Sequence, residues 1–326
     1  MKILLVRMSS MGDIFHMYPA ISDLKAYHPE AELHWLVEDA FVSIAEWHPD
    51  VDRVISISLR RWLKARNANA LYEFKTWKKE SVKLGMYDSV IDAQGLMKSA
   101  VISRCVPAKT IHGYDHKSVR EVLASFAYKK KHRINRNLHA IEQNRLLMAA
   151  ALEYEPEGQP NFGIREIFTP SKTKDENLLF LIGTSKDEKL WQVDRWAELA
   201  QMSSKNGYLI ELIWGNDKEK RLALEIQQKF SNVLVSMGRL SIVEVAEKLC
   251  SATAVVGLDS GFTHLSGAME IPTVALFGPT SPDRFGLIGK KTINLTQMHD
   301  LTSACVWEAL QDKILAGKKL MDTESV

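Results

Sequence analysis

The 326-residue sequence predicts an α/β protein with two doubly wound parallel sheets, one in each of two domains. Three observations carry that reading. Short apolar runs alternate with helix-period segments from Lys2 to Glu153. Glu155 to Lys174 then breaks the pattern with Pro156, Gly158, Pro160, Gly163 and Pro170. Beyond it the alternation restarts, and a chain of this length exceeds the usual size of one hydrophobic core. The expected division is a first Rossmann-like domain over residues 1–160, a linker over 161–174, a second Rossmann-like domain over 175–310, and a C-terminal segment over 311–326.

Taken in order, Lys2 to Arg7 is a continuous apolar strand of the kind buried in a parallel sheet. A loop from Met8 to Asp13 follows, then a helix from Ile14 to Tyr27 with Pro19 tolerated near its start. Next come a strand at Leu33 to Val37, a helix near Ala40 to Trp47 and a strand at Val54 to Ile57. A long basic helical segment spans about Trp62 to Leu84, with Tyr72, Phe74 and Trp77 as inward or ligand-facing aromatics. Ser89 to Ile91 is a strand ending in Asp92-Ala93-Gln94-Gly95, Met97 to Val106 is its helix, and Thr110 to Gly113 is a further strand. Val119 to Tyr128 and His139 to Glu153 read as helices.

The second array starts with a strand at Leu178 to Ile182 and a helix at about Val193 to Lys205. A strand at Tyr208 to Ile213, a helix at Asp217 to Phe230, a strand at Val233 to Val235 and a helix at Ile242 to Leu249 continue it. It culminates in Ala254 to Thr280. There an apolar strand ends at Asp259, Ser260-Gly261 opens a helix with Phe262, Leu265, Ala268 and Met269 at helical spacing, and Ile271-Pro272 closes it before a strand at Thr273 to Phe277. Asp259, Ser260, Gly261, Thr263, His264 and Thr280 thus share one sheet edge with the unpaired N–H groups of a helix start, a place that attracts phosphate. A helix cap at Asp259 or Ser260 with no ligand is the simpler alternative. Two such arrays suggest a cleft between strand carboxyl ends.

Composition is that of an ordinary globular protein, 46% hydrophobic and 25% charged. No apolar run reaches the roughly 18 residues of a membrane span, and Met1-Lys2 enters a strand directly, so a cytosolic protein is expected. Cys105, Cys250 and Cys305 are too scattered for a disulfide framework or a metal site. Charge is uneven. Residues 1–150 hold 23 Lys and Arg against 16 Asp and Glu, and residues 151–326 hold 19 against 24, for a net +2. The excess lies in Arg60 to Arg66 and between Lys98 and Arg136, so an acidic substrate or an anionic membrane surface is the sharper reading and a solvated basic face the simpler one.

Neither GxGxxG after the first strand nor GxxxxGK[ST] is present, which disfavours a dinucleotide oxidoreductase and a P-loop NTPase. Asp50-Val51-Asp52 matches a metal-holding DxD only formally, and His139 with Glu142 completes no zinc motif, so no metal and no cofactor are expected. The remaining polar residues sit after strands: Asp13, Asp92 with Gln94, Lys189, and Glu219 just beyond Trp214-Gly215.

Arg7 to Ala20 (RMSSMGDIFHMYPA), Val90 to Ala100 (VIDAQGLMKSA) and Gly257 to Thr280 (GLDSGFTHLSGAMEIPTVALFGPT) resemble the ADP-heptose:lipopolysaccharide heptosyltransferases. Leu59 to Trp62 (LRRW) and Lys189 to Trp191 (KLW) look like the branch that adds the first heptose to the Kdo region of lipid A. The resemblance runs from residue 1 to about 310. It implies a GT-B fold with an acceptor-binding first domain, a nucleotide-sugar-binding second domain and a final helix that crosses back to the first. It further implies metal-independent inverting transfer from ADP-heptose to Kdo-lipid A at the cytoplasmic face of the inner membrane, with no nucleic-acid partner.

By the same resemblance Asp13 is the catalytic base. Thr184, Ser185, Lys189, Glu219, Asp259, Ser260, Gly261, Thr263 and His264 bind the donor, with Glu219 suited to a ribose hydroxyl. Ser10, Gly12, Arg60, Arg61, Lys64, Asp92, Gln94, Lys98 and Arg120 bind the acceptor. A base on the acceptor side and positive groups for the departing diphosphate are what inverting transfer requires. The rivals are a nucleotide-sugar epimerase of similar fold and a non-catalytic nucleotide-sugar-binding protein.

Overall fold

The structure is a computed structural model. It describes residues 1–165, 167–168, 176–184 and 186–324, with the backbone alone over 318–324. The chain divides into two compact units, Met1–Gly163 and Ile164–Val326.

The first unit holds a parallel sheet of β1 (Lys2–Val6), β2 (Glu32–Glu38), β3 (Arg53–Ile57), β4 (Tyr87–Asp92), β5 (Ala108–Tyr114) and β6 (Lys130–His132). Their spatial order is β3-β2-β1-β4-β5-β6. Its central strand β1 is apolar because both faces are covered: Ile3, Leu4, Leu5 and Val6 are fully buried. Helices Tyr18–Tyr27 and Ala140–Leu152 are tied together by a buried ion pair, Arg145 Nε to Asp23 Oδ2 at 2.7 Å. Val6 pairs with Leu36 on one side and Asp92 on the other, so the ends of β1 and β4 lie side by side.

The second unit repeats the scheme with β7 (Asn177–Leu181), β8 (Leu209–Ile213), β9 (Leu234–Val235), β10 (Ala254–Leu258), β11 (Thr273–Leu276) and β12 (Thr292–Leu295), all parallel in the order β12-β11-β10-β7-β8-β9. Numbered from its own first strand, each sheet has the order 3-2-1-4-5-6. Its connections therefore reverse direction between strands 1 and 4, where doubly wound sheets open a crevice for ligands. In the two units that point lies after β1 and β4, and after β7 and β10.

Several elements depart from expectation. Asp13 lies on a helix, Met11–Phe15, rather than in a loop, and the helix expected over Ile14 to Tyr27 is two pieces. Pro19 lies at the start of the second piece because it has no N–H to continue the first. The segment expected from Trp62 to Leu84 is likewise split into Leu59–Ala65 and Ala68–Lys83. Arg66 turns left-handed at φ 47°, and the Asn67 side chain accepts the Ala70 N–H at 2.9 Å to begin a new helix. Phe74 and Trp77 stack inward while Tyr72 faces solvent. The helix expected at Val119 to Tyr128 is a shorter 3₁₀ turn, Val122–Ala127.

Strands β6 and β12 had no expectation. β6 was hidden in the basic run Lys129 to Arg133, whose strand pairing comes from its neighbour β5 rather than from its own sequence. Helix Ser303–Glu324 packs Val306, Trp307, Leu310 and Ile314 into the core of the second unit. Half of the expected linker, 166 and 169–174, and the side chains from 318 onward lie outside the described residues. Among the described residues no helix is long and apolar enough to cross a membrane.

Candidate functional site

In the first unit the switch point is organised by two internal polar side chains. Asp92, fully buried at the end of β4, accepts the N–H groups of Gln94 and Gly95 at 2.9 and 3.1 Å and the Tyr128 hydroxyl at 2.8 Å. Burial raises its pKa, and the hydrogen bonds from Ser99, Gly95, Tyr128 and Gln94 only partly offset that. Gly95 sits at φ +65°, where a Cβ would meet Val119 at 3.3 Å and Tyr114 at 3.4 Å and a side chain would be strained. Gln94 accepts the Met8 N–H at 2.9 Å and donates to the Ser9 carbonyl at 3.2 Å. Asp92 and Gln94 are therefore occupied within the fold, shaping the loop after β1.

That loop presents Asp13. Arg7, the last residue before it, donates from Nη2 to Asp13 Oδ1 at 2.7 Å and from Nη1 to the Ala93 carbonyl. The other carboxylate oxygen accepts the Ser10 N–H at 2.8 Å and its hydroxyl at 3.0 Å. Burial pushes the Asp13 carboxyl up, but Arg7, His16 and the Ser10 hydrogen bonds outweigh it and hold the pKa at about 2. The Asp13 side chain keeps 24% of its surface exposed, so an ionised oxygen remains within reach of solvent. Asp13 thus also closes the first turn of its helix.

The basic residues expected to meet the acceptor are spread more widely. Arg60, Arg61 and Lys64 are exposed on helix Leu59–Ala65. The backbone N–H of Arg60 is fixed by buried Glu38 at 3.0 Å and its guanidinium lies 5.7 Å from the Phe41 ring centroid. Arg61 is already paired with Glu73 at 2.9 Å. Lys98 is half-buried on helix Met97–Cys105, and Arg120 is exposed beside Glu121.

In the second unit the corresponding point is a compact ionic cluster. Asp259, just past β10, accepts from Lys189 Nζ at 2.6 Å and Thr280 Oγ1 at 2.6 Å, while His264 Nε2 lies 3.4 Å from its other oxygen. Burial pushes this carboxyl up, yet His264, Lys189 and Thr280 hold it well below the usual carboxylate range. Thr184 donates to the Asp259 carbonyl at 3.3 Å. Ser260 and Gly261 begin helix Gly261–Ala268, but Thr263 is turned inward, donating to the Leu258 carbonyl at 2.5 Å. Its hydroxyl holds the strand-to-helix turn. Trp191 of the KLW sequence is core, edge-on to Trp196. Ser185 lies outside the described residues.

Glu219 lies next to β7. Its carboxylate accepts the Gly215 N–H at 2.7 Å and an Asn216 Nδ2 proton at 2.6 Å, and a Cβ on Gly183 would come within 2.7 Å of it. It borders an open cavity of about 340 Å³ lined also by Thr184, Asp187, Leu190, Asn216 and Lys218. Among the described residues no group of three or more His, Cys, Asp or Glu is arranged to hold a metal ion. Asp52 of the DxD instead accepts the Leu33 N–H at 2.7 Å and pairs with Lys25.

Sequence reading missed Arg7, whose signal was a lone basic residue ending an apolar strand. It also missed Asn216, whose side chain caps the following helix by accepting the N–H groups of Lys218 and Glu219.

The family model described as glycosyltransferase family 9 (heptosyltransferase) matches residues 77–312. The chain is 38% identical over 293 residues to lipopolysaccharide heptosyltransferase 1 of Salmonella typhimurium, covering 89% of this chain and 92% of the relative. A solved structure of E. coli heptosyltransferase WaaC with ADP has a TM-score of 0.89 at 35% identity, over 96% of this chain and 100% of that one. The same E. coli enzyme with ADP-2-deoxy-2-fluoro heptose gives 0.86 at 35% identity, over 96% and 99%.

Proposed function

The chain belongs to glycosyltransferase family 9 and is a heptosyltransferase of lipopolysaccharide core biosynthesis, and from that premise we propose its substrates and the role of each site residue. The donor is ADP-heptose, carrying L-glycero-D-manno-heptose, and the acceptor is the Kdo region of Kdo-lipid A. The reading includes peripheral attachment to the cytoplasmic face of the inner membrane, supported by the basic first 150 residues. It also includes independence of metal ions and cofactors.

The observation that carries it is the cluster at the head of helix Gly261–Ala268. Lys189 has further N–H donors beyond the one given to Asp259, and the helix start adds unpaired N–H groups, a combination suited to a diphosphate. Asp259 holds Lys189 and His264 in place. Glu219, bordering the open cavity, suits a ribose hydroxyl.

Asp13 takes the proton of the attacking acceptor hydroxyl. As the new bond to the anomeric carbon forms on the face opposite the diphosphate, the old carbon–oxygen bond breaks and ADP departs with the electron pair. A carboxylate held at about 2 is a weak base, so the proton moves late, once the attacking oxygen has become acidic through bonding.

The test pairs purified protein with ADP-heptose, with and without Kdo-lipid A. ADP release only when acceptor is present is expected, and EDTA should leave the rate unchanged. Donor conversion without acceptor would indicate an epimerase, and no consumption at all a binding protein. EDTA inhibition reversed by a divalent ion would revive the Asp50-Val51-Asp52 metal reading.

A further inference from the structure

Helix Met97–Cys105 shows solvent the wrong kind of face. Its outward stripe, at spacings of four and three, is Met97, Val101 and Arg104, while Ala100, Ile102 and Ser103 are buried beneath. The 3₁₀ turn Val122–Ala127 lies along it, joined at one end by the Met97 N–H to Glu121 and at the other by Arg104 Nη1 to the Ala127 carbonyl. This turn also points its large apolar side chains outward. Val122 is 55% exposed, Leu123 64% and Phe126 74%, although Ala124 and Ser125 are buried. Two adjoining segments thus form one exposed apolar surface, which a chain without a partner for it has no reason to keep.

The charge around this surface says what covers it. Residues 97–136 contain ten Lys and Arg against two Asp and Glu. Arg104, Arg120, Lys129, Lys130 and Lys131 are exposed, and Lys131 Nζ lies 5.5 Å from the Phe126 ring centroid. An apolar wedge set among cations meets both requirements of stable interfacial binding, which a single weak signal does not supply. A protein partner of matching acidity would leave Phe126, Leu123 and Val122 without a common apolar counterpart unless it carried one, whereas an anionic bilayer offers charge and hydrocarbon together at fixed depth. We infer that the surface built by helix Met97–Cys105 and turn Val122–Ala127 docks the enzyme on an anionic phospholipid bilayer, with Leu123 and Phe126 entering the headgroup region. This rests on the reading that the acceptor is lipid-anchored, and it gives that reading a specific surface.

The full chain is to be sedimented with vesicles of phosphatidylcholine alone or of phosphatidylcholine with phosphatidylglycerol. Binding to the anionic vesicles should be about tenfold or more stronger and should fall with salt. Leu123→Ser combined with Phe126→Ser should lower it by about tenfold or more. The same variant should keep its melting temperature and its transfer to a deacylated, water-soluble Kdo acceptor without vesicles. In a separate variant, Phe126→Trp, the new indole emission should shift to the blue when anionic vesicles are added. Wild-type binding by the double variant, equal binding to both vesicle types, or an unshifted indole would overturn the proposal. So would a wild-type dimer that the double variant dissociates, since the face would then join two copies. Loss of soluble-acceptor transfer in the wild type would instead refute the functional reading, and the vesicle measurements would still decide the docking surface.

Discussion

The two units share one topology and carry opposite polarity at the same point in it. Asp92 ends the fourth strand of its sheet and Asp259 follows the fourth strand of the other, yet burial raises the first and cationic neighbours lower the second. The partners account for the difference: Asp92 is met by N–H and O–H dipoles, Asp259 by Lys189 and His264. After the first strand the roles exchange. The first unit supplies an anion there, Asp13, and the second a cation, Lys189. The lesson is that a doubly wound sheet fixes where a ligand is met, and the partners of a few side chains decide whether it is met by a proton acceptor or by positive charge.

The largest effect is expected from Asp13→Asn. It should lower kcat by roughly 10²- to 10⁴-fold with ADP affinity nearly unchanged. Activity within a few-fold of wild type would leave Asp13 as a helix cap alone and remove the claimed polarity of the first unit.

Lys189→Ala tests the opposite pole. Loss of a charge-assisted hydrogen bond, about 1.5–3 kcal/mol, should weaken donor binding or slow transfer roughly 10- to 150-fold, with acceptor KM little altered. Kinetics unchanged on varying both substrates would show that Lys189 serves only its ion pair with Asp259.

Acid unfolding sharpens the contrast. Asp13 falls from 3.8 to about 2 on folding, so its contribution of about 2 kcal/mol is complete above pH 4 and disappears as pH falls toward 2. Asp92, raised on folding, acts in the other direction: its contribution is complete at low pH and is lost as pH rises through its folded pKa. Urea unfolding between pH 2 and 6 should show a shallower acid decline for Asp13→Asn and a steeper one for Asp92→Asn. The same slope in both variants would contradict the assigned partners.

The smallest effect is expected at the periphery of the first unit. Arg60→Ala with Arg61→Ala should raise acceptor KM several-fold, less so as salt increases, and leave donor KM alone. Equal changes in both KM values would indicate a disturbed fold, and no change would return these residues to a solvated face. Because Arg61 already pairs with Glu73, Arg61→Ala should contribute less than Arg60→Ala.

The α/β class, the break between two arrays and the place of Asp259 at the end of its strand were legible in the sequence, since each depends on local period, turn residues and short apolar runs, whereas Asp13, expected in a loop, lies on a short helix. The sequence also carried the family, through stretches such as GLDSGFTHLSGAMEIPTVALFGPT. Which partners those side chains meet is visible only in the folded chain. Lys189 and Asp259 are seventy residues apart in the chain and 2.6 Å apart in space, and Asp92 meets Tyr128 from thirty-six residues away. The same is true of β6, drawn into the sheet by β5, and of the apolar face of Val122, Leu123 and Phe126, whose direction depends on the helix packed beside it. Periodicity reports which residues share a face, but which face is covered, and by which charge a carboxylate is met, depends on contacts between segments that no local pattern encodes.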